Sequence, residues 1–127
     1  TKLNTMDRAT QGSEMQKLGA APDYAIGSVH AVTQDGHVLI ASNTGSQLPA
    51  YAYGSNHVIW VASTKKIVTD VEQGKKRIYE HVLPLESERA HKAYGVPGSA
   101  VNKLLLVDTE NQADRITIVL VKQLLGF

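Results

Sequence analysis

The hexapeptide Ser42-Asn43-Thr44-Gly45-Ser46-Gln47 gathers three hydroxyls, two side-chain amides and one glycine. Gly45 lets the backbone approach a ligand, and Pro49 opens a short helical stretch, "PAYAYG", that closes at Gly54. Free backbone N–H groups leading into a helix attract a phosphate or carboxylate. The same residue types also close turns and cap helices, so a purely structural corner is the competing reading. The loop lacks the Gly-x-x-x-x-Gly-Lys pattern of a nucleotide P-loop.

Further candidates flank this loop. Gly27 and Ser28 interrupt an apolar strand, which marks a close approach of ligand or backbone, or tight packing against a helix. His30 shares a strand face with Ser28 by alternation and is the one histidine placed to act as an acid or base. His37, His57, His81 and His91 read as surface or edge residues, and no two histidines have metal-ligand spacing, so no metal site is expected. Asn102 and Lys103, in "GSAVNK", stand just before a strand, where they meet an anion held by the first loop or simply extend to water. Glu86 and Glu88 point to different sides of a helix, and Glu72 with Lys75 or Lys76 makes an ordinary solvated pair. No catalytic residue is assigned, and the motifs imply no cofactor.

These residues are positioned by elements readable from the pattern. A strand is expected over Tyr24–Thr33, a turn at Gln34–Gly36, where Asp-Gly supplies positive φ, and a return strand over His37–Ser42. "HVIWVAS" (His57–Ser63) is apolar throughout, as in a strand buried on both faces, with Trp60 in the core. Ile67, Val68, Val71, Ile78, Tyr79 and Val82 form one helical stripe, N-capped by Thr69 or Asp70, weakened by about 1 kcal/mol at Gly74, and ended by Pro84. A second helix spans Glu86–Gly95, and "KLLLVD" and "RITIVLV" are two more buried strands. A short helix around Ser13–Leu18 precedes all of this. The fold class is therefore α/β, a largely parallel sheet with helices on both faces.

Composition bounds the function. The 127 residues suit one domain, and 43% hydrophobic with 20% charged residues is globular, not disordered. Lysine and arginine total 13 against 12 acidic residues, a net charge of +1 that gives no footprint for nucleic acid or an acidic membrane. The absence of cysteine excludes disulfides, thiolate zinc sites, cysteine nucleophiles and any iron–sulfur cluster held by this chain. Apolar runs are far shorter than a membrane span and the first residues lack a signal-peptide plan, so a soluble cytoplasmic protein is expected.

The ordered set of hairpin, Thr-Gly-Ser-Gln loop, Lys-Ile-Val helix start and C-terminal Leu-Gly-Phe, spread over Leu18 to Phe127, resembles the LUD-domain family of lactate-utilization proteins. The resemblance implies a fold like that of sugar-phosphate isomerases and coenzyme A transferases. It also implies a role beside iron–sulfur and oxidoreductase subunits in oxidising L-lactate to pyruvate, which a cysteine-free, non-redox subunit fits. Family members carry further strands and helices before the position of Thr1, so the resemblance implies a C-terminal part of a longer protein. No glutamate here aligns with the coenzyme A transferase nucleophile. Two alternatives stay open: an independent enzyme on a phosphosugar or acyl thioester, and a homo-oligomeric module using Tyr51, Tyr53 or Phe127 as contacts.

Overall fold

The computed structural model describes Lys17 and residues 19–127. The helix expected around Ser13–Leu18 lies outside them, Lys17 excepted. The strands are β1 (Tyr24–Gly27), β2 (Ala31–Thr33), β3 (Val38–Ser42), β4 (His57–Ser63), β5 (Ile67–Val68), β6 (Lys103–Val107) and β7 (Ile116–Val121). Within residues 24–127 the α-helices α1 (Val71–Arg77) and α2 (Leu83–Tyr94) are joined through a wide π turn at Ile78–Val82, and another π turn occupies Ala50–Gly54. The architecture is α/β and rich in parallel pairing. One sheet runs β1-β4-β7, parallel throughout; the other runs β5-β2-β3-β6. In the second sheet β2 pairs parallel with β5, while β3 is antiparallel to both β2 and β6.

The expected strand Tyr24–Thr33 divides in two, and the break positions the site. At Gly27 a Cβ would stand 2.0 Å from the Tyr51 hydroxyl, so only glycine fits beneath that ring. Beyond it the chain leaves the partner β4 and rejoins the other sheet at Ala31. An apolar run has the same pattern whether it serves one sheet or two, which is why periodicity missed the division.

The hairpin forms as the turn residues dictate. Gly36 takes φ 95 and its N–H closes on Thr33 O at 3.2 Å, so glycine alone carries the positive φ. The core gathers Val29, Val38, Ile40, Val58 and a fully buried Trp60, against which Tyr51 packs edge-on at 5.4 Å. Each fully buried Val, Ile or Leu contributes roughly 1.5–3 kcal/mol. In α1, Gly74 rests on Leu39, whose Cδ1 lies 3.0 Å from the place of a Cβ. The close approach of helix to sheet thus favours glycine despite its poor helix propensity.

Three other expectations are corrected. Ile67 and Val68 do not join the helical stripe: Ser63 caps a 3₁₀ turn at Thr64–Lys66, and the two residues then pair as β5 beside β2. The helix begins at Val71, where Asp70 Oδ1 accepts from Gln73 N at 2.9 Å. Pro84 does not end it, because the π turn carries the chain into α2 and leaves the proline in a first turn, where a missing N–H disrupts least. Finally, β6 and β7 form where expected but are sheet edges with largely exposed side chains. One face of the parallel sheet, with Tyr24 and Ile26 on β1, Val61 on β4 and Val119 on β7, is exposed to solvent.

Candidate functional site

β3 delivers Ser42 to the polar loop, and the loop's hydrogen bonds close largely on themselves. Ser42 Oγ accepts from Gly45 N at 2.7 Å and donates to Gln47 Oε1 at 3.0 Å. Thr44 Oγ1 accepts from Ser46 N at 3.2 Å, and Gly45 O from Leu48 N at 3.1 Å. Gly45 has φ 86 and lies against the Lys103 stem, 2.6 Å from Cδ to the place of a Cβ, so both conformation and space demand glycine. Asn102 and Lys103 do meet this loop. Asn102 Nδ2 donates to Asn43 Oδ1 at 2.7 Å and Asn43 O at 3.1 Å, while Lys103 Nζ donates to Thr44 O at 2.8 Å. They brace the loop's shape across β3 and β6.

The loop walls a cleft of about 620 Å³. Ser42, Asn43, Thr44, Ser46 and Gln47 form one side, with His30 at its inner end; Ile78, Val82 and Leu83 from the helical connection face them, with Glu86 and Arg89 beside. His30 Nδ1 accepts from Ala41 N at 2.9 Å, so the neutral ring carries its proton on Nε2. Burial, then the nearby Lys66 and Arg77 cations, push its pKa down to about 4. At neutral pH it is therefore an uncharged donor toward the cleft. Arg89 is held by Glu86 through two bonds, Nε to Oε2 at 2.9 Å and Nη2 to Oε1 at 2.5 Å. The Arg89 hydrogen bond is the main reason the Glu86 carboxyl titrates below the ordinary carboxylate range. The cleft is polar, and its one cationic side chain is already neutralised.

Gly27 and Ser28 lie apart from the loop. Gly27 packs beneath Tyr51, and Ser28 Oγ accepts from Lys66 Nζ at 2.9 Å. Lys66 also donates to Val29 O at 2.8 Å and is 5% exposed. Burial first, then Arg77 and Lys65, lower the pKa of its ammonium. Arg77 donates to His30 O at 3.1 Å and to Phe127 O. Neither Lys66 nor Arg77 stands out in sequence, because "TKK" and "GKKR" read as solvated helix surface. The signal available was a pair of lysines directly after an all-apolar strand, where the chain must emerge beside the end of its parallel neighbour. Among the described residues no group of His, Asp or Glu is arranged to hold a metal. No described helix is long and apolar enough to cross a membrane.

Comparison with curated proteins and with solved structures returned no significant match. The family model of the LUD domain matches residues 1–122. That span covers both sheets, the polar loop and the helical connection, and the chain belongs to the LUD-domain family of lactate-utilization-related proteins.

Proposed function

We propose that this domain serves lactate utilization in the cytoplasm as a non-redox subunit that binds a small carboxylate- or phosphate-bearing ligand in the cleft beside Ser42–Gln47. The observation that carries the reading is convergence. Donors distant in sequence, from His30, the 42–47 loop and the 99–101 segment, line one 620 Å³ cleft, within the range that holds small molecules. The cysteine-free composition is consistent with electrons passing through iron–sulfur and oxidoreductase partner subunits. The exposed apolar face of the parallel sheet gives such partners a surface to cover.

A homo-oligomeric module is the second reading, favoured by the same face and by Tyr53, which is 90% exposed, whereas Tyr51 is core. An independent enzyme on a phosphosugar or acyl thioester draws less support, since His30 is a poor base at a pKa near 4. Affinity purification from the native cell separates the readings. Recovery with iron–sulfur proteins supports the subunit role, and recovery of the chain only with copies of itself supports the module. Thermal-shift titration with L-lactate, pyruvate and inorganic phosphate tests the cleft, where a saturable rise should disappear in an Asn43→Ala, Ser46→Ala variant.

A further inference from the structure

The hydrogen bonds inside the cleft wall do not fall evenly on donors and acceptors. Asn43 Oδ1 is taken by Asn102 Nδ2 at 2.7 Å, Gln47 Oε1 by the Ser42 hydroxyl at 3.0 Å, and His30 Nδ1 by Ala41 N at 2.9 Å. The amide orientations follow from their partners. Asn102 Nδ2 also donates to Asn43 O, which can only accept, so the Asn102 nitrogen faces Asn43 and the Asn43 side-chain oxygen faces back. Ser42 Oγ already accepts from Gly45 N, so its proton goes to Gln47 and fixes the oxygen of that amide. Three side chains that could have offered a ligand either role are each left with N–H groups alone.

These N–H groups are open. His30 Nε2 and Gln47 Nε2 bond to none of the described residues, yet neither atom is shut away, since among the described residues the buried side-chain atoms without a partner are Ser55 Oγ and Trp60 Nε1. Asn43 is exposed. All three residues line the cleft, which is the open space beside them. The main-chain oxygens of this wall are taken as well: Ser42 O by Asn102 N, Asn43 O by Asn102 Nδ2, Thr44 O by Lys103 Nζ and Gly45 O by Leu48 N. Glu86, the carboxylate of the cleft, meets Arg89 with both oxygens. The hydroxyls of Thr44 and Ser46 turn to either role and select neither.

We propose that the cleft selects acids that present acceptors and no donor, binding a 2-oxo carboxylate in preference to the corresponding 2-hydroxy carboxylate. The anion of a 2-oxo acid carries oxygens that all accept, and its flat shape lets neighbouring N–H groups reach carbonyl and carboxylate together. A 2-hydroxy acid accepts at the same places but brings an O–H, and against this wall that proton meets N–H groups. A polar group left without its partner on binding loses affinity. Ile78, Val82 and Leu83, across the cleft, give the alkyl end of either acid an apolar surface and do not discriminate. The selection rests on the cleft being the site of a small acid, and it names the oxidation state of the acid bound.

The test is calorimetric titration of the whole chain with pyruvate, L-lactate and inorganic phosphate at one pH and salt concentration, using wild type, Asn43→Asp and Gln47→Glu. Both substitutions keep the oxygen that bonds inside the loop and replace the free amide nitrogen with an acceptor. Wild type should bind pyruvate about tenfold more tightly than L-lactate. Each variant repels both monoanions alike, so the ratio of pyruvate to lactate affinity is the readout. It should fall to about one or below in Gln47→Glu and partway in Asn43→Asp. Equal binding of the two acids by wild type, or tighter binding of L-lactate, overturns the inference and leaves the cleft reading standing. A ratio that both variants leave unchanged does the same, as does binding of phosphate with neither acid. If no probe binds wild type, both readings fall. Should a variant fail to fold or to bind, the wild-type ratio decides.

Discussion

The guanidinium of Arg115 lies 2.8 Å from the carbonyl oxygen of Ala50, sixty-five residues earlier in the chain. The same group donates to Ser55 O at 2.8 Å, Tyr51 O at 3.0 Å and Glu110 Oε1 at 2.6 Å. A π turn leaves carbonyls facing inward at its end, and a planar fork of five N–H donors is suited to collect them. Arg115 thereby holds the turn that places Tyr51 over Trp60 and Gly27.

Replacing Arg115 with Met should destabilise the domain by about 3–5 kcal/mol, because buried carbonyls and the Glu110 carboxylate lose their partner together. Arg115→Lys should fall between the two, since an ammonium cannot span the set. Urea denaturation midpoints check both. A loss under about 1 kcal/mol for the Met variant would show that water replaces the guanidinium.

Gly27→Ala should cost about 1–3 kcal/mol by forcing a methyl into the Tyr51 hydroxyl. The ring cannot swing aside freely, being buried in the core against Trp60. Tyr51→Phe in the same chain removes the atom at 2.0 Å and leaves Cζ at 3.2 Å, so it should restore part of the loss. Additive melting-temperature changes in the double variant would mean that the two positions do not press on each other.

The strands and turns were legible where a local rule decides them. β3, β4, β6 and β7 carry their apolar runs in plain view, Asp70 caps as its type demands, and Gly36 turns the hairpin. What the sequence concealed was set by partners. The division at Gly27 depends on Tyr51, the π turn that accommodates Pro84 depends on packing, and the burial of Lys66 depends on β1 lying beside β4. The loop residues 42–47 and His30 could be named because hydroxyls, amides and histidine are conspicuous. Lys66 and Arg77 could not, since a lysine or arginine beside a helix start is ordinarily solvated, and only the tertiary structure removes the water.

Asn102→Ala should loosen the polar loop without unfolding the domain. Its amide holds two oxygens of Asn43 near the surface, a contact contributing about 0.5–1.5 kcal/mol. Amide hydrogen exchange at Gly45 and Ser46 should quicken severalfold, while the core amides of Val58 and Trp60 keep their protection. Equal acceleration at all four would place Asn102 in the global fold instead of the loop.

The last prediction concerns His30 and acid. In the unfolded chain its pKa is the ordinary value near 6.5; in the fold burial, then Lys66 and Arg77, lower it to about 4. Above pH 6.5 both states are neutral and the His30 contribution is complete. As pH falls from 6.5 toward 4 the unfolded chain takes up a proton that the folded chain refuses, so stability declines across that window and this decline ceases below it. The limit is about 3 kcal/mol, and partial exposure to solvent brings the expectation nearer 2 kcal/mol. Protonation would also end the acceptor role of Nδ1 toward Ala41 N, coupling acid loss to the end of β3. Glu86, Glu88 and Glu110 titrate below the ordinary carboxylate range and give a similar decline at lower pH, so the informative quantity is a difference. His30→Gln, which cannot protonate, should lose stability at pH 7 but approach wild type by pH 4.5 in urea denaturation. Parallel curves for the two proteins between pH 7 and 4.5 would remove His30 as the source of the acid sensitivity.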